Sequence, residues 1–317
     1  MYKDKIISVV VPAYNEEKLI EETIQSVPDF VDKIVVINDA SKDKTRDKVE
    51  QVLKNNSKVI LINHKINQGV GGSISSGYKW SRDNEIDIAV IMAGDAQMDP
   101  SNMPALLNAV IDDGADFAKG NRLLSSQVRK TMPKKRYHIS QFLSLLTKIA
   151  SGYWQVIDPQ CGYTAINKNA LHSIDWDKMY KRYGQPNDLL IRLNVEEMKV
   201  KDVPIKPVYN VGEKSGINMT KLFFTLSWVL FSGFLWRLKE KYVVRDFHPL
   251  VFFYGLGGFF IVATVALGIR VIYMWIALGI VPPTTALATF FSFMSASLFI
   301  LFAMWFDMSS NSELKVK

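Results

Sequence analysis

Short apolar runs alternate with amphipathic stretches over the first 92 residues of the chain. The apolar runs have the length and β-branched content of buried strands, and between them apolar residues recur at helical spacing. The predicted strands are 6–11, 33–37, 58–62 and 86–92, and the predicted helices are 16–27, 44–53 and 70–82, the first with Asn15 as a candidate cap. This alternation predicts an α/β fold with a largely parallel sheet covered by helices.

A polar motif follows each predicted strand. In chain order the motifs read PAYNEE, NDASKDKT, NHKINQGVGG and AGDAQMDP. Ligands of parallel sheets bind outside the carboxyl ends of the strands, so the four motifs are expected to line one site.

Three of these motifs suggest specific chemistry. The carboxylate of Asp39 is either a hydrogen-bond acceptor for a base or ribose, or part of a solvated turn. The glycines of NQGVGG form either a phosphate loop or a point of close packing, since the Lys-Ser/Thr pair of a Walker loop is absent. Asp95 and Gln97 offer oxygen ligands with which a divalent cation can bridge to a diphosphate. Asp99 is expected to cap a helix that begins at Pro100.

Two long uncharged stretches lie in the last seventy residues. Residues 250–269 and 284–306 carry no charged side chain over twenty and twenty-three positions. At 1.5 Å per residue, about 20 residues cross a hydrocarbon core of roughly 30 Å, so both are predicted membrane spans that form a hairpin. Arg270, directly after the first stretch, is expected to snorkel or to face protein.

Basic residues flank this hairpin on one side. They are Arg237, Lys239, Lys241 and Arg245 before the first span and Lys315 and Lys317 after the second, with none in the connecting loop after Arg270. The positive-inside rule therefore predicts that both ends are cytoplasmic. Residues 222–236 are apolar over only fifteen positions, which favours a helix in the membrane interface. The amino-terminal apolar run is too short for a signal peptide, so the first 220 residues are expected in the cytoplasm.

Composition narrows the class of protein. The 317 residues are 48% hydrophobic and 22% charged, which excludes a disordered chain, and a single cysteine, Cys161, excludes a disulfide scaffold. The four histidines lack metal-ligand spacing, so they and Cys161 are expected to be structural. The net charge of +7 includes a basic cluster at 129–136, which suits anionic headgroups better than nucleic acid.

The four polar motifs, in this order and spacing, closely resemble those of glycosyltransferase family 2. The terminal hairpin narrows the resemblance to the polyprenyl-phosphate glycosyltransferases, the group that includes dolichyl-phosphate mannose synthase. Later segments match as well: KGNRLL around Arg122, Arg136 with Ser140, DPQCGYTAIN around Asp158, NDLL at Asp188 and VGEKSG around Lys214. The likeness covers almost the whole chain.

The resemblance implies a fold and a division of the chain. The fold is GT-A, a Rossmann-like, mostly parallel sheet with helices on both faces, followed by an interfacial helix and two transmembrane helices. The implied domains are a cytoplasmic catalytic domain at 1–211, a closing loop and interfacial amphipathic helix at 212–248, and a transmembrane hairpin with a short cytoplasmic tail at 249–317.

The resemblance also implies roles for individual residues. The nucleotide would be held by Pro12, Tyr14, Glu16 and Asp39, a Mg²⁺ or Mn²⁺ ion by Asp95 and Gln97, and the lipid phosphate by Arg122, Arg136 and Ser140. Asp95, Asp188 and Lys214 would be catalytic. For Asp188 two interpretations stand side by side, a carboxylate that stabilises a helix terminus and an acid that contacts sugar or acceptor.

Two positions depart from the family pattern. Ala93 stands where many relatives place an acidic residue, which leaves more of the metal coordination to diphosphate oxygens and water. Asn210 stands near a position where relatives of the mannose synthase type carry an arginine, which leaves Lys214 as the cation of the closing loop.

The activity implied is inverting transfer of a hexose from a UDP- or GDP-sugar to dolichyl or undecaprenyl phosphate on the cytoplasmic face of a membrane. The protein would be an integral membrane enzyme and a homo-oligomer, a tetramer as in relatives with paired spans, with no nucleic-acid partner. The alternatives are non-processive transfer to another lipid or glycan acceptor, and a catalytically weakened scaffold that keeps the nucleotide-sugar pocket. A processive polysaccharide synthase is disfavoured, because the chain lacks a Gln-x-x-Arg-Trp motif and has too few spans.

Overall fold

The computed structural model describes residues 1–123, 134–206 and 219–316, with the backbone alone for 134–140 and 219–222. By its internal contacts the chain forms two compact units. The first is Met1–Phe234 together with Glu313–Lys317, and the second is Leu235–Ser312. The predicted division of the chain at 211 and 248 stays a prediction, since its first boundary falls outside the described residues.

The first unit is built on a sheet that has seven strands among the described residues, in the order β3-β2-β1-β4-β6-β5-β7. The strands are β1 Ile7–Ala13, β2 Lys33–Asn38, β3 Val59–Asn63, β4 Ile88–Ile91, β5 Phe117–Asn121, β6 Thr164–Asn167 and β7 Val200–Pro204. Strand β6 runs antiparallel to both β4 and β5, and the other pairs are parallel. Six strands therefore point the same way, which confirms the predicted mostly parallel sheet.

Helices cover both faces of this sheet. They are α1 Ile20–Ser26, α2 Thr45–Asn55, α3 Val70–Asp83, α4 Met103–Ile111, α5 Lys134–Ser151, α6 Lys168–Ser173, α7 Gln185–Val195 and α8 Met219–Lys239. Alternate residues of β1 show the two layers, because side chains of a strand point to opposite faces. Val9 and Val11 belong to a core cluster with Ile24 of α1, and Val10 belongs to a second cluster with Ile74 of α3.

The first helix begins later than the sequence predicted. Helix α1 begins at Ile20 with Leu19 as its cap, so the prediction that Asn15 caps it is wrong. Asn15 instead has a φ of 58°, and its side-chain oxygen accepts a hydrogen bond from the Lys42 amide at 2.9 Å. The predicted cap at Asp99 is confirmed, since its carboxylate accepts a hydrogen bond from the Ser101 amide at 2.9 Å.

Helix α8 is longer than the fifteen apolar residues predicted and has two different apolar sides. One side is buried, with Leu226, Val229 and Leu230 inside the protein and Gly233 against Ile191. The other side exposes large side chains at positions i, i+4, i+7 and i+11, which form one stripe of a helix. This aromatic stripe consists of Phe224, Trp228, Phe231 and Leu235.

The second unit contains α9 Leu250–Leu278 and α10 Pro283–Ser310. Both helices are long and apolar enough to cross a membrane, and only 11% and 17% of the residues in their most apolar windows are buried. They pack through aromatic rings, including Phe260 stacked on Phe299 with centroids 5.8 Å apart, and through Gly257 against Ile300. A soluble core helix would instead be mostly buried, so these helices are compatible with membrane spans.

A buried polar network in the second unit connects residues 237–242 to residues 307–311 at the end of α10. Arg237 and Asp307 are fully buried and form two hydrogen bonds of 2.9 and 3.0 Å. Tyr242 donates to the same carboxylate at 2.7 Å, and Asn311 links Tyr242 to Lys241. Removal of one partner of such a pair typically costs about 3–5 kcal/mol, so the network ties the last turn of α8 and the segment after it to the end of α10.

The residues after α10 return to the first unit. Leu314 is 8% exposed and belongs to the core cluster that contains Val10, while Lys315 forms a parallel β-bridge with Val200 at the start of β7. Strand β7 lies at the edge of the sheet, so this bridge covers part of an otherwise unpaired edge.

The structure predicts that this short tail stabilises the first unit. We expect Leu314→Ala to lower the stability of the full chain by about 2 kcal/mol, because it removes most of a buried leucine side chain. The measurement is thermal unfolding in detergent. Leu53→Ala, at a leucine 40% exposed on α2, is the matched control and should leave the midpoint nearly unchanged. Equal midpoints for the two variants would contradict a stabilising role of the tail.

Candidate active site

The site lies where the order of strands reverses. The chain adds β2 and β3 on one side of β1 and then places β4 on its other side. Such a switch point leaves a crevice outside the carboxyl ends of the strands, where α/β proteins bind their ligands. The motifs after β1, β2 and β4 all reach this edge, as the sequence predicted.

Two of these motifs interlock through hydrogen bonds. The amide of Asn15 donates to the Ser41 hydroxyl at 3.1 Å, and the Asn15 side chain accepts in return from the Lys42 amide. The amide of Glu17 donates to the Asp43 carboxylate at 3.1 Å. Burial of Asp43 works to raise its pKa, but hydrogen bonds from Thr45 and Glu17 outweigh it and lower that pKa. An ionised Asp43 therefore holds the two loops together.

The predicted nucleotide residues Pro12, Tyr14 and Glu16 lie on this interlocked segment. The Pro12 carbonyl accepts a hydrogen bond from the Gly94 amide at 3.3 Å, which joins the end of β1 to the loop after β4. The ring of Tyr14 is exposed, and the Glu16 amide donates to the Thr45 hydroxyl at 2.7 Å. The structure thus gives these residues a rigid backbone, while their contact with a nucleotide stays a prediction.

Asp39, the fourth predicted nucleotide residue, is buried and orders the loop after β3. One carboxylate oxygen accepts from the Gln68 amide at 2.8 Å and lies 2.7 Å from Nδ1 of His64, and the other accepts from the Gly69 amide at 2.7 Å. His64 also contacts the Ser76 hydroxyl at 2.9 Å, in agreement with the structural role expected for the histidines. Asp39 therefore anchors the wall of the crevice.

The glycine-rich loop after β3 is a point of close packing. A β-carbon on Gly71 would lie 2.3 Å from the Tyr180 carbonyl oxygen, and one on Gly69 would lie 2.6 Å from the Lys181 carbonyl oxygen. The Gly72 amide donates to that Lys181 oxygen at 3.1 Å. With the Gly69 amide directed to Asp39 as well, the structure favours packing over a phosphate loop for these glycines.

The predicted metal residues lie at the end of β4. Asp95 accepts a hydrogen bond from the Gln97 amide at 3.1 Å, across a turn in which Ala96 has a φ of 55°. Burial raises the pKa of Asp95 despite hydrogen bonds from Gln97 and its own amide, because a carboxylate removed from water is stabilised too little by two amides. A cation beside Asp95 would relieve this cost, so the carboxylate fits a metal ligand.

The described residues gather no further cluster of metal-binding side chains around Asp95 and Gln97. Within 1–123, 134–206 and 219–316 no three His, Cys, Asp or Glu side chains gather into a metal-binding group. Ala93 contributes no ligand through its methyl group. One carboxylate with an amide oxygen from Gln97 suits Mg²⁺ or Mn²⁺, which accept substrate phosphates and water as the remaining ligands.

Arg122, a predicted phosphate residue, follows β5 and is held by Asp158. Its Nε and Nη2 atoms donate to the two carboxylate oxygens at 2.8 and 3.1 Å, and its amide donates to Asp158 at 3.2 Å. Burial works to raise the pKa of Asp158, but the hydrogen bonds and charge of Arg122 lower it overall. The pair is asymmetric, since the Arg122 side chain is 36% exposed and that of Asp158 only 4%.

Strand direction brings Arg122 and Asp95 to the same edge. Strands β4 and β5 both run antiparallel to the β6 strand between them, so their carboxyl ends point the same way. Two strand spacings separate them, about 10 Å. A carboxylate suited to a cation and a partly exposed arginine side chain therefore lie at the same edge of the sheet.

Three predicted residues fall where side chains are not described. Arg136 and Ser140 lie in the first two turns of α5, for which the structure gives the backbone alone up to 140. Lys214 lies outside the described residues. Their assignment to the lipid phosphate and to the closing loop stays a prediction.

Asp188 lies in the first turn of α7 and is largely buried. Its carboxylate accepts from Arg192 Nε at 2.9 Å and from the Tyr180 amide at 2.8 Å. These bonds hold the segment that packs on Gly71 and Gly72, so Asp188 has a structural role in this part of the fold. A contact with sugar or acceptor stays a prediction.

The sequence interpretation missed a buried group of charges behind Arg122. Lys119 of β5 is buried and donates to the Cys161 carbonyl, and desolvation lowers its pKa. Asp202 of β7 pairs in register with Lys119, and desolvation raises its pKa although Ile157 and Asn121 donate to it. A lysine inside the strand FAKGN was the available signal, because a charged residue in a buried strand needs a partner.

Cys161 has the structural role expected. It is 3% exposed, and burial raises the pKa of its thiol despite the nearby charges of Arg122 and Lys119. A thiol with a raised pKa is a poor nucleophile, so the geometry agrees with packing.

Comparison with known proteins gives a family match and named relatives. The model of the family "Glycosyl transferase family 2" matches residues 8–175. A UDP-N-acetylglucosamine--dolichyl-phosphate N-acetylglucosaminyltransferase of Methanococcus voltae is 32% identical over 65% of this chain and 87% of its own length. An undecaprenyl-phosphate mannosyltransferase of Micrococcus luteus is 29% identical over 63% of this chain and 82% of its own length.

Solved structures show the same fold. Glucosyl-3-phosphoglycerate synthase from Mycobacterium tuberculosis, in complex with Mn²⁺, uridine diphosphate and glucosyl-3-phosphoglycerate, superposes with a TM-score of 0.55 and 20% identity. The match covers 74% of this chain and 80% of the synthase. At this identity the likeness supports the GT-A arrangement of the sheet and nothing about substrate.

The packing of the glycine-rich loop gives a testable prediction. Gly71→Ala should lower the thermal midpoint of the full chain by several degrees, because the new methyl group must displace the Tyr180 carbonyl. Ser73→Ala is the control in the same helix, since its buried hydroxyl has no partner among the described residues and its loss should be neutral or stabilising. If the loop bound phosphate instead, Gly71→Ala would weaken donor binding at an unchanged midpoint.

Proposed function

The chain belongs to glycosyltransferase family 2, and we propose that it transfers a hexose from a UDP- or GDP-sugar to a polyprenyl phosphate held in a membrane. The observation that carries the proposal is the edge of the sheet at the carboxyl ends of β4 and β5, where Asp95 follows one strand and the partly exposed side chain of Arg122 follows the other. A divalent cation with a diphosphate fits the first, and a phosphate monoester fits the second.

The named relatives support this acceptor. The Methanococcus voltae relative is named for transfer to dolichyl phosphate and the Micrococcus luteus relative for transfer involving undecaprenyl phosphate. The sugars in these names differ while a polyprenyl phosphate recurs, so the acceptor class is the part of the proposal that they support best.

The two long helices support a membrane location. A polyprenyl phosphate cannot leave the bilayer, so a catalytic unit fixed beside the headgroups gains proximity to its acceptor. We place α9 and α10 across the membrane and the aromatic stripe of α8 in its interface, where aromatic rings are favourable. Exposed Phe142 and Leu145 on α5 extend the apolar surface of the catalytic unit.

The proposed reaction needs no strong general base. A phosphate monoester is anionic at neutral pH, so its oxygen can attack the anomeric carbon directly, with inversion as the diphosphate leaves. Asp95 and Gln97 would hold a Mg²⁺ or Mn²⁺ ion, which supplies charge neutralisation for the leaving diphosphate. Arg122, with Arg136 and Ser140, orients the acceptor phosphate, and Lys214 adds a positive charge over the donor.

The remaining residues of the proposal bind and orient. Pro12, Tyr14 and Glu16 line the nucleotide side of the crevice, and Asp39 holds its wall. Asp188 supports the α7 side. Assembly into a homo-oligomer, a tetramer, stays part of the proposal as an expectation.

The activity can be tested on membranes that contain the full chain. They are incubated with radiolabelled UDP-N-acetylglucosamine, UDP-glucose or GDP-mannose and with dolichyl or undecaprenyl phosphate, and lipid is extracted into organic solvent. We expect one donor to yield an extractable labelled product that requires Mg²⁺ or Mn²⁺ and is lost with EDTA. Label that stays in water with every donor, as free sugar or soluble glycan, would contradict the lipid acceptor.

The same assay tests Asp95. Asp95→Asn should reduce transfer about a hundredfold or more while the chain stays folded, since a metal supplies several kcal/mol to such a reaction. Asp99→Asn is the matched control, because asparagine also caps a helix and Asp99 is assigned no ligand role. Full activity of Asp95→Asn would remove the metal assignment.

Orientation in the membrane can be tested by labelling. Ile280→Cys lies in the turn between the spans and Lys54→Cys on the exposed side of α2, and native Cys161 is buried and gives little background. On intact cells a membrane-impermeant maleimide should label the first variant and not the second, because the basic flanks favour the cytoplasm. Labelling of Lys54→Cys alone would indicate the opposite orientation in the membrane. Labelling of both variants would exclude a hairpin that spans the membrane.

A further inference from the structure

We propose that Asp158 is a positioning residue that fixes the guanidinium of Arg122 for the acceptor phosphate. The inference rests on the proposed function of Arg122 and extends it to the buried group behind it. Both oxygens of Asp158 are directed to Arg122, which they hold through Nε, Nη2 and the backbone amide. A bidentate contact of this kind sets the plane of the guanidinium as well as its position.

The two members of the Arg122–Asp158 pair differ in their exposure to solvent. Asp158 is buried while more than a third of the Arg122 side chain faces solvent, so the pair presents its cation and hides its anion. An arginine tied from behind loses little conformational entropy when it binds phosphate, because its rotamer is already fixed. The same arginine without Asp158 would have to be ordered by the ligand.

Asp158 is itself held by a second carboxylate. The amide of Ile157, the residue before it, donates to Asp202 Oδ2 at 2.8 Å. Asn121, the residue before Arg122, donates to that same oxygen at 2.7 Å, and its own side-chain oxygen accepts from the Leu123 amide at 3.0 Å. One oxygen on β7 thus fixes the loop that carries Asp158 and the strand end that carries Arg122.

The surroundings argue against Asp158 as a general base. Its carboxylate is nearly inaccessible, and the contact with Arg122 keeps its pKa below the ordinary value, whereas a base works best with a pKa near the operating pH. A phosphate acceptor is already ionised at neutral pH, so there is almost no proton for a base to remove from it. The geometry therefore assigns Asp158 to act through Arg122.

The test measures binding of farnesyl phosphate, a short polyprenyl phosphate, to the full chain in detergent, with farnesol as the probe that lacks the phosphate. Asp158→Asn should weaken the binding of farnesyl phosphate about tenfold, because Arg122 is no longer held by a charge-assisted hydrogen bond. The binding of farnesol should stay unchanged. Arg122→Lys should have a similar effect, since it keeps the charge and loses the fork. Asp112→Asn, which breaks an exposed pair with Lys3, is the control and should change neither affinity.

A double-mutant cycle decides whether Asp158 acts through Arg122. In an Arg122→Ala background, Asp158→Asn should change farnesyl phosphate affinity by less than about twofold. Equal effects of Asp158→Asn in the presence and absence of Arg122 would overturn the proposal. Where Asp158→Asn fails to fold, Asp158→Glu replaces it in the cycle and should weaken farnesyl phosphate binding only in the presence of Arg122.

Kinetics with the productive donor separate this proposal from its rivals. A positioning role predicts a higher KM for the polyprenyl phosphate with kcat reduced far less. A general base predicts unchanged farnesyl phosphate binding with kcat lowered about a hundredfold or more, which would overturn the proposal. If wild-type protein binds farnesyl phosphate yet transfers no sugar, the proposed function is wrong. The double-mutant cycle on farnesyl phosphate binding still tests the positioning role of Asp158 in that case. If wild-type protein does not bind farnesyl phosphate, the positioning role is excluded.

Discussion

The direction of the strands is the constraint on which the site depends. Six strands of the sheet point one way, so the segments after β1, β2, β4 and β5 emerge at one edge although they are up to about a hundred residues apart in the chain. The reversal of strand order beside β1 opens a crevice there. Strand β6 is the one described strand that runs the other way, and it lies between β4 and β5. It therefore separates Asp95 from Arg122 by two strand spacings but leaves both residues at the same edge of the sheet.

A second constraint is the cost of taking charges out of water, and the protein meets it in the same way in both units. In the first, the carboxylate of Asp158 is buried with its cation in direct contact. In the second, Arg237 and Asp307 are fully buried as a pair, with Tyr242 adding a hydrogen bond. A lone buried ion would cost several kcal/mol, so each of these two pairs keeps its opposite charges in direct contact. Asp95 and Asp202 depart from this rule, since amide groups donate to both carboxylates and burial raises both pKa values. Asp95 lies after the carboxyl end of β4, where a bound cation would offset the cost of its burial.

The sequence predicted the sheet and the position of its polar loops well, because both follow from local patterns. The four early strands lie within two or three residues of their predicted bounds, and the cap at Asp99 is confirmed. Asn15 was misassigned because its side chain finds a partner in Lys42 on the neighbouring loop, a contact that no local pattern encodes. The pairing of Arg122 with Asp158 spans 36 residues, and that of Asn121 with Asp202 spans 81, so neither could be read from spacing. The glycines of NQGVGG show most clearly what the sequence pattern does not predict. Their role in packing becomes evident from the positions of the Tyr180 and Lys181 carbonyl groups, which lie far away in the sequence.

A phosphate acceptor, as proposed for this chain, favours a site that binds anions through fixed cations over one that relies on a general base. A hydroxyl acceptor must lose a proton as it attacks, which requires a group whose pKa lies near neutrality. A phosphate acceptor brings its negative charge with it, and the difficulty is to hold one anion beside another that is about to leave. Cations fixed from behind by buried carboxylates meet that need, because they screen the two anions without having to reorganise during the reaction. Arg122 on Asp158 has this form, whereas Asp95 is proposed to hold a cation. In this proposal the two carboxylates differ in function because Asp158 is paired with Arg122 and Asp95 would bind a metal ion.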